Sequence, residues 1–209
     1  MSHVPSPAGF WKRYVAYFID FMLVSTVLNI VSTPILMAVF ASRQDDFVAF
    51  ARTDAASLLT AQDAIGKLLP MLLWMSAASM VGYVVLAGAY FIGMEASSRQ
   101  ATLGKQLLGL KVTTLDGGRP GIGRVAGRFF AAALSWLTLN LGHALAAWTP
   151  SRRALHDLVA GTRVENVDPA NAAMPTWGWV IVGLNVLVAL VLILLPVMLV
   201  ALLMTQLPY

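Results

Sequence analysis

The chain has no cysteine, three histidines, and only 11% Asp, Glu, Lys and Arg among its 209 residues. The missing cysteine excludes disulfides and thiolate metal centres. The shortage of charge excludes an ordinary soluble domain, in which about a quarter of the residues are charged. Other signatures are absent too. No nucleophile stands beside a matching base, no His/Asp/Glu set has metal-ligand spacing, and no glycine-rich loop follows a strand into a nucleotide site. Gly117-Gly118 and Gly121-x-Gly123 read as turn residues. The sequence therefore predicts no enzyme, no cofactor and no metal. The net charge of +4 is too small to argue for nucleic acid and is better explained by membrane topology.

Apolar residues are abundant, at 58% of the chain with a mean hydropathy of +0.74. Three segments are long enough to cross a hydrocarbon core of about 30 Å: Tyr14 to Ala41, Leu68 to Met94 and Trp177 to Leu207. The first exceeds a leader's apolar core of about 7–15 residues and reads as a retained helix. A fourth segment, Phe129 to Trp148, is marginal and carries Ser135, Thr138, Asn140 and His143.

The cations predict orientation. Lys12 and Arg13 precede the first span, and Arg99, Lys105, Lys111, Arg119, Arg124 and Arg128 follow the second. Between those spans Arg43, Arg52 and Lys67 are offset by Asp45, Asp46, Asp54 and Asp63. The positive-inside rule places the N-terminus and residues 95–128 in the cytoplasm, and residues 42–67 outside. Arg152, Arg153 and Arg163 beyond the fourth segment would put both its ends inside. LLGLKVTTLDGGRPG reads as a strand broken at Asp116-Gly117-Gly118, by a hairpin or a tight turn, and GTRVENV is a second β-branched run able to pair with it. If residues 111–115 and 162–167 pair, the segment between them re-enters or lies at the interface, bent near Gly142. The expected fold is an all-α integral membrane protein: three transmembrane helices, a re-entrant or interfacial helical segment and a small cytoplasmic β element. Residues 1–167 would form the membrane domain, and 168–209 a linker and terminal helix whose Trp177, Trp179 and Tyr209 mark the interfaces.

A carboxylate inside an apolar helix calls for a partner. In KRYVAYFID, Arg13, Tyr17 and Asp20 share one helix face, but Arg13 and Asp20 lie roughly 10.5 Å apart along the axis. His156 and Asp157 in RRALHDLVAG are candidate partners, with the Arg13 guanidinium at the centre of the cluster. Ser25, Asn29 and Ser32 form a second polar stripe suited to interhelical hydrogen bonds. Ala78-xxx-Gly82 and Ala89-xxx-Gly93 suit close helix packing. His143 is expected to pack as a satisfied amide-like residue.

A Lys/Arg-rich helix start with an aspartate seven positions on, a TLGKQLLGLKV segment before a D-G-G turn, and a late LHDLVAGT together resemble the RDD family of membrane proteins. The resemblance covers residues 9–167 and leaves out the helix after Pro175. It implies that Arg13, Asp20 and Asp157 are the residues that name the family, and that Gly104 and Lys105 belong to its loop motif. It also implies a multi-pass protein of the cell (inner) membrane, with transport in some members and complex assembly in others. Two functions follow: ion- or proton-coupled transport through the Arg/Asp cluster, or a non-catalytic structural or assembly module. The expected partners are the lipid bilayer, ions or protons, and a second copy or other membrane proteins.

Overall fold

In a computed structural model, the structure describes residues 6–45, 48, 58–138 and 140–205. The first long helix, α1, runs Phe10–Ser42, and the second, α2, runs Leu58–Glu95. A five-residue helix, α3 (Leu103–Leu107), leads into strand β1 (Leu110–Thr114). Helices α4 (Ile122–Leu137), α5 (Leu141–Trp148) and α6 (Leu155–Ala160) follow, then strand β2 (Thr162–Asn166) and helix α7 (Thr176–Thr205). Three stretches are long and apolar enough to cross a membrane: Phe10–Ser42, Leu68–Glu95 and Pro169–Thr205. They coincide with the three segments expected from hydropathy, although Leu207 and Tyr209 lie outside the described residues.

At about 1.5 Å per residue, the 33 residues of α1 reach roughly 50 Å, more than a hydrocarbon core needs. The surplus is used at its start. Val15 and Ala16 are fully buried there against Leu108, Leu110, Val112 and Val164. Farther along, most of α1, α2 and α7 presents apolar side chains outward, from Ile30 and Ile35 to Leu192 and Leu203. That surface suits lipid. It has no polar partner requirement because each helix satisfies its own backbone. The N-terminal half of α7 still packs inward: Ile181 and Val182 join the core, and Trp179 meets Trp11 at 6.1 Å between ring centroids.

The strands pair antiparallel, from Leu110 opposite Asn166 to Thr114 opposite Thr162. A two-stranded ribbon is marginal alone, but this one is extended and covered. Ala8 N–H donates to Val164 O at 2.9 Å and Asn166 N–H to Ser6 O at 2.8 Å, so residues 6–8 run along its edge. Asp116-Gly117-Gly118 closes a tight turn, with Gly117 N–H donating to Thr114 O at 3.0 Å. It ends β1 and begins no hairpin; the partner strand is β2.

Because β1 and β2 pair, α4, α5 and α6 leave and return on one side of the fold. The break between α4 and α5 falls near Gly142 as expected, at Asn140, which is in the left-handed conformation (φ 64°). Asparagine tolerates that conformation better than most residues. Gly142 has a different task. A β-carbon there would stand 2.9 Å from Ser135 Cβ and 3.1 Å from Leu155 Cβ, so its hydrogen lets α4, α5 and the start of α6 close together.

One packing expectation needs correction, and another holds only in part. Asn29 donates to Ser25 O within α1 at 2.8 Å and is exposed, so it does not bridge helices. In α2 the close approaches are at Gly82, 3.4 Å from Leu28 Cδ1, and Gly88, 3.4 Å from Phe129 Cε1. Gly93 has open space instead.

Candidate functional site

Asp20 is completely buried, and its hydrogen bonds come from neutral donors. Thr102 Oγ1 donates to Oδ2 at 2.5 Å, Gly104 N–H to Oδ1 at 2.7 Å and Tyr90 Oη to Oδ1 at 2.7 Å. Tyr90 Oη in turn accepts from Leu103 N–H at 2.9 Å. A side chain on α1 therefore satisfies the first turn of α3, whose amides have no partner within so short a helix. The geometry explains the glycine in TLGK: a β-carbon on Gly104 would sit 3.0 Å from Asp20 Cγ and collide with the Ala16 carbonyl.

Arg13 lies at the other end of the same helix face. Its Nη2 pairs with Asp157 Oδ2, and its Nη1 donates to Arg152 O at 2.6 Å. Asp157 Oδ2 also accepts from Ala154 N–H at 3.0 Å, which helps start α6. Gly161 ends that helix in the left-handed conformation (φ 61°), leading straight into β2. The expected Arg13–Asp20–Asp157 cluster is thus divided. Arg13 and Asp157 meet, whereas no ion pair joins Arg13 to Asp20 among the described residues.

The two ends are connected through Lys105, already placed in the loop motif, and through Glu95 and Arg128, which the sequence did not single out as site residues. Lys105 Nζ pairs with Glu95 Oε1 at 2.8 Å and reaches Thr102 Oγ1 at 3.3 Å. Glu95 Oε2 pairs with Arg128 Nη1 at 3.2 Å, and Arg128 Nη2 with Asp157 Oδ1 at 3.2 Å. From Asp20 through Thr102, Lys105, Glu95, Arg128 and Asp157 to Arg13, carboxylates and cations alternate, three of each. The chain of contacts begins and ends on α1 and passes through α2, α3, α4 and α6. Glu95 has one signal in the sequence: it is the lone carboxylate of its span. Arg128 looked like one more topological cation.

His156 is buried beside this relay, its Nε2 3.3 Å from Arg128 Nη2 and 3.6 Å from Asp157 Oδ1. Burial pushes its pKa well below 6.5; Asp157 opposes the shift, and Arg128 and Arg13 reinforce it. Burial alone would raise the Asp157 carboxyl, but Arg13 and Arg128 outweigh it and hold the group well below the usual carboxylate range. Tyr17 packs its ring on Phe91 at 6.2 Å and His143 at 5.9 Å, and His143 lies 5.0 Å from His156. These rings line a cavity of about 660 Å³ whose wall also includes Arg13, Glu95, Lys105 and Arg128. His143 is therefore a cavity-wall residue. No group of three metal-ligating side chains occurs among the described residues.

Residues 7–161 match the model of the RDD family. The chain is 34% identical over 162 residues to "Uncharacterized protein YxaI" of Bacillus subtilis (strain 168), across 76% of this chain and 96% of that protein. No solved structure matches. The chain belongs to the RDD family and is a membrane protein by its apolar helices.

Proposed function

We propose that this RDD-family chain is a non-enzymatic, transport-associated protein of the cell membrane that handles protons or small cations through its alternating relay. The observation that carries this reading is Glu95, buried at the end of a span, shared by Lys105 and Arg128, and bordering the cavity. A proton on Glu95 would release both cations at once. A small cation displacing Lys105 Nζ would find oxygen atoms of Glu95 and Thr102 around the vacated position. Asp20 is the fixed hinge in this scheme, because neutral donors saturate it in either state. The test is flux of protons and of Na⁺ into proteoliposomes holding the purified chain, compared with Glu95→Gln. Flux in the wild type that the variant loses supports the reading, and a silent wild type overturns it.

A scaffold for membrane assemblies is the second reading. It is favoured by the dense pairing of the relay's carboxylates, each held by at least two donors or cations, which suits a lock more than a pathway. Under both readings the positive flanks put the N-terminus and the relay on the cytoplasmic side, with 129–148 dipping into the membrane from there. This naturally cysteine-free chain permits a direct check. Cysteines at Thr114 and Ser151 should resist an impermeant maleimide in intact cells, whereas one at Ser42 should react. Labelling of Ser151 from outside would overturn this topology.

A further inference from the structure

The cavity beside the relay is uneven in charge. Arg13, Lys105 and Arg128 stand in its wall against one carboxylate, Glu95. Asp157 offsets a second cation from behind the wall, its side chain wholly enclosed while that of Arg13 is 11% exposed. Asp20 is shut away behind Thr102 and met by neutral donors. Three cations less Glu95 and Asp157 leave a local surplus of one positive charge. Arg13 also has donors to spare. A guanidinium carries five N–H groups, and among the described residues those of Arg13 reach two acceptors, Arg152 O and Asp157 Oδ2.

The charge is gathered at one end of a long, apolar space. On α2 the wall runs from Glu95 through Phe91 and Ala87 back to Val84, a single helix face covering about 16 Å of axis. Between its ends stand the near-parallel rings of Tyr17, Phe91 and Phe129, 6.2 and 6.3 Å apart. Val84 belongs to an apolar span and is 43% exposed, and Leu141 of the same wall is 59% exposed. The wall therefore continues into the apolar outer surface, where a chain can enter from lipid. Its volume of about 660 Å³ is typical of a small-molecule site. A free inorganic anion would answer the charge and leave the apolar length empty. A neutral chain would do the reverse.

We propose that this cavity binds a single-chain amphiphile with a singly charged oxyanion head, a fatty-acid carboxylate. The head accepts from Arg13 and lies among Lys105 and Arg128. The chain follows the aromatic run and leaves past Val84 toward lipid. Binding is non-covalent and does not rest on the transport reading; occupancy and flux are read separately, so either can fail alone.

The experiment is equilibrium binding of radiolabelled dodecanoate to the full chain in phosphatidylcholine nanodiscs, with empty discs as the blank. At about pH 8 the carboxylate is ionised. Dodecanol supplies the chain without charge, acetate the head without a chain, and dodecyl phosphate a second negative charge. The wild type should bind dodecanoate saturably and more tightly than any of the three. Lys105→Gln removes the surplus charge and should weaken binding about tenfold, whereas Glu95→Gln doubles the surplus and should tighten it. The double variant restores the wild-type balance and should bind nearly as the wild type does, which loss of fold in a single variant could not produce. Ala133→Phe fills the cavity from an exposed position of its wall and should abolish binding while the melting temperature holds. Absence of saturable binding, equal affinity for dodecanol or acetate, tighter binding of dodecyl phosphate, a shift of both single variants in one direction, or indifference to Ala133→Phe would each overturn the proposal.

Discussion

Asp20 and Asp157 are both completely buried carboxylates near one face of the same helix, yet their surroundings differ in kind. Around Asp20 the donors are two hydroxyls and one amide; Asp157 accepts from the Arg13 guanidinium and one amide, and its other oxygen faces the Arg128 guanidinium as an ion pair. The first arrangement solves desolvation by hydrogen bonding and orders a short helix. The second solves it by charge, and makes Asp157 and two arginines dependent on one another. A buried anion near membrane depth thus has two remedies, with different consequences when one partner is removed.

The largest effect is expected at the charged end. Arg13→Ala leaves Asp157 with only Arg128 and should destabilise by about 3–5 kcal/mol. Adding Asp157→Asn restores the balance of the relay, so the double variant should melt above the single one in detergent. If it melts no higher, the two groups are not interdependent. At the other end, Gly104→Ala forces a β-carbon against the α1 backbone, which cannot give way, and should cost about 1–3 kcal/mol. Gly93→Ala is the control, since it meets open space and gains helix propensity; equal melts for the two would break the account of TLGK.

Asp20→Asn should be milder than Arg13→Ala, at about 1–2 kcal/mol. The amide keeps an acceptor for Gly104 N–H, Thr102 can reverse its hydroxyl, and no cation is left stranded. A loss as large as that of Arg13→Ala would mean that Asp20 is held by charge after all. The smallest effect is a pH slope at the Asp157 end. His156 and Asp157 both bind protons more readily when unfolded, so stability is full above 6.5 and declines in acid, first through His156 and then, below 3.8, through Asp157. The His156 step amounts to at most about 1.4 kcal/mol per pH unit, and melts of His156→Asn from about pH 8 to about pH 5 should lack it.

Part of this arrangement was readable in the residues alone. Hydropathy located the spans, because a long apolar run needs no tertiary information. The pairing of Leu110–Thr114 with Thr162–Asn166 followed from β-branched runs on both sides of an apolar segment. Arg13 and Asp157 were named because charges in such surroundings need opposite charges. What was hidden concerns groups whose role arises only when distant elements meet. Nothing in the sequence marked Tyr90, Thr102 stood unremarked within the TLGK segment, and Arg128 read as a cytoplasmic flank. Tyr17 shared the helix face of Arg13 and Asp20, but its ring turned out to serve the cavity wall. Face-sharing on one helix establishes proximity along that helix and does not say which neighbour arrives there.

The contact between Arg13 and Asp157 spans 144 residues. At roughly 5–20 residues per second, the ribosome needs about 7–30 s to add them. For that interval the first helix is already made, and its cation has no lasting mate. Asp20 receives Thr102 and Gly104 earlier, 82 and 84 residues on. Birth order thus assigns the two ends to different stages of biogenesis: α3 can dock while the rest is still being threaded, and α6 closes the circuit last. A chain truncated before residue 157 would carry unpaired charge at its oldest end, a mark by which proteolytic surveillance could distinguish it from a finished one.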